Sequence, residues 1–169
     1  MHSPGKVREL GSPWRQSIRA AERGKACAFH RTANAGMSSL VILLAEGYAT
    51  AATPHEATGW PVAVAFDAGN LVKVAHALRQ RYPAALLALC GDDDRATQAK
   101  TGNNPGRDKA TAAAGAVQGL AVFPVDLPES GSDFNDMHQA HGLAAMRTSV
   151  VAAPLDGSVH AHAIIRPSR

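Results

Sequence analysis

Four stretches of the chain are continuously apolar, and each stops at turn or charged residues. Leu40 to Ala45 ends at Glu46-Gly47, Val62 to Phe66 at Asp67-Ala68-Gly69-Asn70, Ala84 to Cys90 at Gly91-Asp92-Asp93-Asp94, and Leu120 to Phe123 at Pro124. Unbroken runs of this length suit strands buried on both faces, whereas a strand with one wet face would alternate apolar and polar residues. The segments between them read as helices. Tyr48 to Thr58 is closed by Gly59, with Pro54 inside it expected to kink the helix or shift its start. From Leu71 to Tyr82, residues Leu71, Val74, Ala75, Leu78 and Tyr82 share one face, while Lys73, Arg79, Gln80 and Arg81 fall elsewhere. Lys109 to Gln118 is an Ala-rich helix ended by Gly119, and Met137 to Met146 is a closing helix for which Ser132 is the expected N-cap. Arg95 to Asp108, which holds Gly102-Asn103-Asn104-Pro105-Gly106, reads as a loop.

Strands alternating with short helices imply right-handed βαβ units, hence an α/β fold with a four-stranded parallel sheet flanked by helices. Residues 1–39 lack sustained periodicity and read as an irregular basic arm, and residues 147–169 as a tail, leaving 40–146 as one domain. Within the arm, Trp14, Arg15, Arg19, Arg23 and Lys25 are either phosphate contacts or a solvated basic face. Cys27-Ala28-Phe29-His30 has no second Cys/His pair at zinc-site spacing, so no metal is expected there. Nor is a site assigned to His160 and His162 in the tail.

Composition narrows the class. Two cysteines provide no disulfide framework, and Cys90 falls in an expected buried strand, which points to a reduced, cytoplasmic protein. No apolar run is long enough to span a bilayer, so no membrane partner is expected. The net charge of +3 and the pI near 9.1 suit a nucleic-acid partner without requiring one, because the basic residues are scattered.

The chemistry concentrates where the strands end. In parallel sheets ligands bind at the carboxyl edge, and two neighbouring tips there bear Glu46 and the acids Asp92, Asp93 and Asp94. In an extended segment residues two apart face the same side, so Asp92 and Asp94 share a face and Asp93 points away. Such carboxylates form a cradle for one or two Mg²⁺ ions, with Gly47 and Gly91 leaving room for a phosphate; a solubilising Asp-rich turn accounts for the same spacing.

Five blocks in order resemble the Toprim (topoisomerase-primase) family, and most closely the primases of plasmids and conjugative elements. They are Ala45 to Ala51, Asp67 to Asn70, Gly91 to Asp94, Gly102 to Gly106, and Ser132 to Asp136, within a likeness running from about Leu40 to Gly142. A glutamate followed by Asp-x-Asp is a weak signal alone; the five blocks together are specific. The resemblance implies a compact, Rossmann-like sheet and Mg²⁺-dependent nucleotidyl transfer, with RNA primer synthesis on a single-stranded DNA template as the expected activity. It assigns Glu46 to general acid-base work or a share of the metal, and Asp92 and Asp94 to the metal. Asp133 and Asp136 are either supporting acids or a helix cap, and Lys109 is either a nucleotide-phosphate contact or an exposed helical lysine. Nucleotides and a replicative helicase are the implied partners. Primases of this kind usually carry an N-terminal zinc-binding module that this sequence does not show, so a truncated product is expected. The alternatives are an Mg²⁺-dependent nuclease and a non-catalytic module binding nucleic acid or a partner protein.

Overall fold

A computed structural model describes residues 28–30 and 41–152. Its sheet has five strands: β1 (Ala28–His30), β2 (Val41–Ala45), β3 (Val62–Val64), β4 (Leu86–Cys90) and β5 (Leu120–Val122), in the order β1-β3-β2-β4-β5. The four expected strands run parallel. Ala45 lies opposite both Val64 and Cys90, and Cys90 opposite Val122, so the carboxyl ends of all four reach one edge together.

The fifth strand corrects the reading of residues 1–39 as wholly irregular. β1 pairs antiparallel with β3, Phe29 opposite Ala63. Three residues are too few to display any period, so nothing in the pattern could announce the strand. The remaining expectations for residues 1–27, including Cys27 and the basic arm, lie outside the described residues, as do His160 and His162.

Alternation along the buried strands divides the core into two layers. Leu43, Ala45, Ala88 and Cys90 pack on one face against α1 (Tyr48–Thr58) and α5 (Phe134–Ala152), meeting Ala51, Phe134, Met137, Met146 and Val150. Ile42, Leu44, Leu87 and Leu89 pack on the other against α2 (Leu71–Arg81) and α4 (Pro105–Ala116), meeting Leu71, Ala75, Leu78, Ala113 and Ala114. Ile42, Leu43, Leu44, Leu87 and Leu89 are fully buried, each contributing about 1.5–3 kcal/mol of transfer free energy. Helices on both faces leave the carboxyl edge as the place where loops converge.

Three helical expectations change. The stretch from Arg95 to Asp108 is not a loop: α3 (Arg95–Thr101) occupies its first half and α4 begins at Pro105. α3 buries no residue, so it has no apolar face to betray it. Gly102 closes it at φ 80, its N–H donating to the Gln98 carbonyl. At α4, Pro at the first helical position follows Asn104, whose side-chain oxygen accepts from the Arg107 N–H, a standard helix start. Pro54 does not move the start of α1, which runs from Tyr48 through the proline to Thr58 and is closed by Gly59 at φ 72. α5 starts at Phe134 and continues to Ala152, broken at Gly142 (φ 78), and its N-cap is Asp133 rather than Ser132.

Candidate active site

The parallel register places Glu46 directly beyond β2 and Asp92 two residues beyond β4, on adjacent strands of one edge. Around this point the three consecutive aspartates take different environments. Asp93 turns inward. It is 7% exposed; its Oδ1 accepts from Asn104 Nδ2 at 2.7 Å and Arg107 Nε at 2.7 Å, and its Oδ2 from Arg107 Nη2 at 3.2 Å. The Arg107 bond holds its carboxyl below the usual range, against the opposing effect of burial. The Arg107 guanidinium also lies over the Phe123 ring, 4.5 Å from the centroid.

Asp92 has no such compensation. Its Oδ1 accepts a 3.0 Å hydrogen bond from Thr50 Oγ1 in the first turn of α1, which favours the ionised form. Burial outweighs that bond, and the charges of Asp133, Asp94 and Glu46 add to it, so the carboxyl is pushed up to about 6. Asp94 Oδ2 accepts from the Gly106 N–H at 2.8 Å, at the start of α4, where helical N–H groups favour negative charge. Its own N–H donates to Asn104 Oδ1 at 3.0 Å. One asparagine therefore spans Asp93, Asp94 and the helix start.

The loop before α5 is tied to the same tip. The Asp93 N–H donates to the Ser132 carbonyl at 2.6 Å, and Arg95 Nη2 donates to the carbonyls of Leu127, Pro128 and Gly131. Asp133 Oδ1 accepts from the Asp136 N–H, while Asp136 Oδ2 accepts from the N–H groups of Ser132 and Asp133. This reciprocal cap occupies Asp136, whereas Asp133 both caps α5 and adds its charge to the field at Asp92. Glu46, Asp92, Asp94 and Asp133 thus act electrostatically on one point. Lys109 is exposed on α4, and no hydrogen bond or ion pair joins it to these acids among the described residues.

The role expected of Gly91 is overturned. A Cβ there would lie 2.5 Å from the Ala110 Cβ and 2.7 Å from the Phe123 ring, so the missing side chain lets α4 approach the sheet and opens no space for a phosphate. Gly106 is equally constrained: a Cβ would meet the Asp92 carbonyl oxygen at 2.5 Å. At Gly47 the nearest neighbour of such a Cβ is Thr50 Oγ1 at 3.7 Å, so the backbone there stays approachable.

Thr50, Asn104 and Arg107 escaped the sequence reading. Asn104-Pro105 carried a helix-start signal that the neighbouring glycines disguised as a turn; Thr50 and Arg107 carried none, since their partners lie 42 and 14 residues away.

Among the described residues no three His, Cys, Asp or Glu side chains are already arranged to hold a metal ion. The donor set nevertheless suits a hard divalent cation. It offers carboxylate oxygens only, with negative charge that no described cation offsets at Asp92, and Mg²⁺ needs just one or two carboxylates because it retains waters.

The Toprim domain family matches residues 41–144. Two proteins of Escherichia coli described as DNA primase TraC are similar: one is 45% identical over 106 residues, covering 60% of this chain and 7% of its own length, the other 48% identical over 97 residues, covering 55% and 9%. The chain therefore spans less than a tenth of the length of these curated relatives. No solved structure is a significant match. No helix among the described residues is long and apolar enough to cross a membrane. With the match covering more than half of its residues, the chain belongs to the Toprim domain family.

Proposed function

We propose that this chain is the nucleotidyl-transfer module of a DNA primase, building RNA primers on single-stranded DNA from nucleoside triphosphates. The observation that carries the reading is that Glu46, just past β2, and Asp92 and Asp94, just past the adjacent parallel β4, share one edge of the sheet, with Asp133 near enough for its charge to act on Asp92. Acids are gathered this closely where a cation or a proton is to be held. The similarity to proteins named as primases supplies the reaction class.

In this reading Asp92 and Asp94 hold Mg²⁺, which supplies charge neutralisation for the phosphates of the incoming nucleotide. Thr50 fixes the Asp92 carboxylate by its hydrogen bond, and Asn104 with the Gly106 N–H fixes Asp94. Glu46, on the neighbouring tip, takes the proton from the 3′-hydroxyl as its oxygen bonds to the α-phosphorus and the bond to the leaving pyrophosphate breaks. The Asp93–Arg107 pair locks the β4 tip to α4, so the two functional aspartates do not have to reorganise as charge develops. Lys109 is assigned a nucleotide-phosphate contact from solution. The unit is centred on residues 40–146 and completed by β1 and by the end of α5, which carries the buried Val150; a replicative helicase is the partner of the longer assembly, and a cytoplasmic setting suits the buried thiol of Cys90.

The test is nucleotide incorporation on single-stranded DNA with Mg²⁺. Wild type is expected to yield short RNA products, and Glu46→Gln and Asp92→Asn to lose them by at least about 100-fold, the scale of removing one electrostatic element of a phosphoryl-transfer site. Undiminished synthesis by Asp92→Asn would end the proposal, and Mg²⁺-dependent nicking without nucleotides would replace it with a nuclease.

A further inference from the structure

Of the large apolar side chains described, only Phe66, Val72 and Val125 are exposed, and Phe66 is the one aromatic among them, 40% open to solvent. It lies just past β3 on the acid-bearing edge. Pairing with β2 continues this far: the Ala65 N–H donates to the Ala45 carbonyl at 2.9 Å, and the Phe66 N–H to the Glu46 carbonyl at 2.8 Å. The Phe66 backbone has φ 60, the left-handed region in which a bulky residue is a genuine outlier. Strain of this kind is retained where surrounding structure imposes it, and it gathers at ligand clamps. Here the loop imposes it. Asp67 Oδ1 accepts from the Gly69 N–H at 2.7 Å and the Asp67 carbonyl from the Asn70 N–H at 3.0 Å, which fixes the turn into α2.

With two-fifths of the residue open to solvent and its backbone strained, packing by itself does not account for a phenylalanine here. Its position does. β3, β2 and β4 are consecutive strands, so Phe66 is two interstrand spacings, about 10 Å, from the Asp92 tip, with Glu46 between them. A single nucleotide can reach across such an interval from phosphate to base. We propose that Phe66 is a stacking platform for the base of a nucleotide whose phosphate would be held through a cation at Asp92 and Asp94, an assignment that rests on the nucleotidyl-transfer reading above. Stacking on a ring face is indifferent to base identity, as a general primer-making module requires.

The experiment compares wild type, Phe66→Gly and Phe66→Trp for equilibrium binding, with Mg²⁺, of oligodeoxythymidylate and of an abasic backbone of the same length. A second pair, a ribonucleoside triphosphate and inorganic tripolyphosphate, distinguishes the incoming nucleotide from the strand as the source of the base. Wild type is expected to favour the base-bearing member of one pair by about 5- to 150-fold, the range of one base-aromatic stack. Phe66→Gly should lose that preference while binding the base-free member unchanged, and Phe66→Trp should keep it. Glycine adopts φ 60 freely, so the urea midpoint of Phe66→Gly is expected to stay close to wild type. Retention of the preference by Phe66→Gly, or its loss in proportion to lost stability, overturns the stacking role alone. Failure of wild type to bind any of the four probes overturns it together with the nucleotidyl-transfer reading.

Discussion

Asp92 and Asp93 are chemically identical neighbours at the end of one strand, and the fold treats them in opposite ways. Asp93 is buried with an arginine and an asparagine around it, and its proton affinity falls. Asp92 is half-buried with one hydroxyl donor and three like charges around it, and its proton affinity rises. Burial raises the proton affinity of both carboxyls; at Asp93 the arginine and asparagine reverse it, and at Asp92 a single hydroxyl does not. One acid is compensated and holds structure together. The other has no cation among the described residues to offset it, and its neighbours are acids.

The largest effect on stability should come from removing the compensated acid. Asp93→Ala leaves Arg107 and Asn104 without their shared acceptor, and a loss of about 3 kcal/mol is expected in urea unfolding, the low end for breaking a buried pair because Arg107 is itself part-exposed. A loss below about 1 kcal/mol would erase the contrast between the two aspartates.

Gly106→Ala comes next. The added methyl meets the Asp92 carbonyl oxygen, so the start of α4 must retreat, at a cost of about 2 kcal/mol and with loss of the N–H that holds Asp94. Crystallographic comparison with wild type would show the shift directly.

Thr50→Val is the mildest and sharpens the contrast instead of breaking it. It removes the single donor to Asp92, costing about 1 kcal/mol. The pH dependence follows from the direction of each shift. Asp92, with its proton affinity raised in the fold, contributes stability that is complete below about pH 3.8 and is lost as pH rises toward 6. Asp93, with its affinity lowered, contributes stability present above pH 3.8 and lost in stronger acid. Without divalent cations, melting curves between pH 4 and pH 7 should fall with pH in wild type, fall through a window displaced upward in Thr50→Val, and flatten in Asp92→Asn.

The same division between local and distant causes explains how much of the molecule could be read beforehand. The β2 and β4 runs ending at acids announce both the sheet and the edge where Glu46, Asp92 and Asp94 stand, because a doubly buried strand writes its apolar run continuously. The alternation that turns Asp93 away from its neighbours is likewise a local property of an extended chain. β1 is too short to carry a period, and α3 buries nothing, so neither leaves a mark. Gly91 looked like space for a phosphate because its neighbours Ala110 and Phe123 are brought to it only by the packing of α4. Asn104 and Arg107 were invisible as partners of Asp93 for the same reason: the bond exists only once α4 has docked.

The most direct test of the central claim is calorimetric titration of Mg²⁺ into wild type, Asp92→Asn and Asp93→Asn near pH 6, in two buffers of different ionisation enthalpy. An uncompensated acid at Asp92 predicts Mg²⁺ binding with proton release in wild type, loss of both in Asp92→Asn, and binding retained in whatever fraction of Asp93→Asn remains folded. Equal Mg²⁺ affinity in wild type and Asp92→Asn would contradict the account.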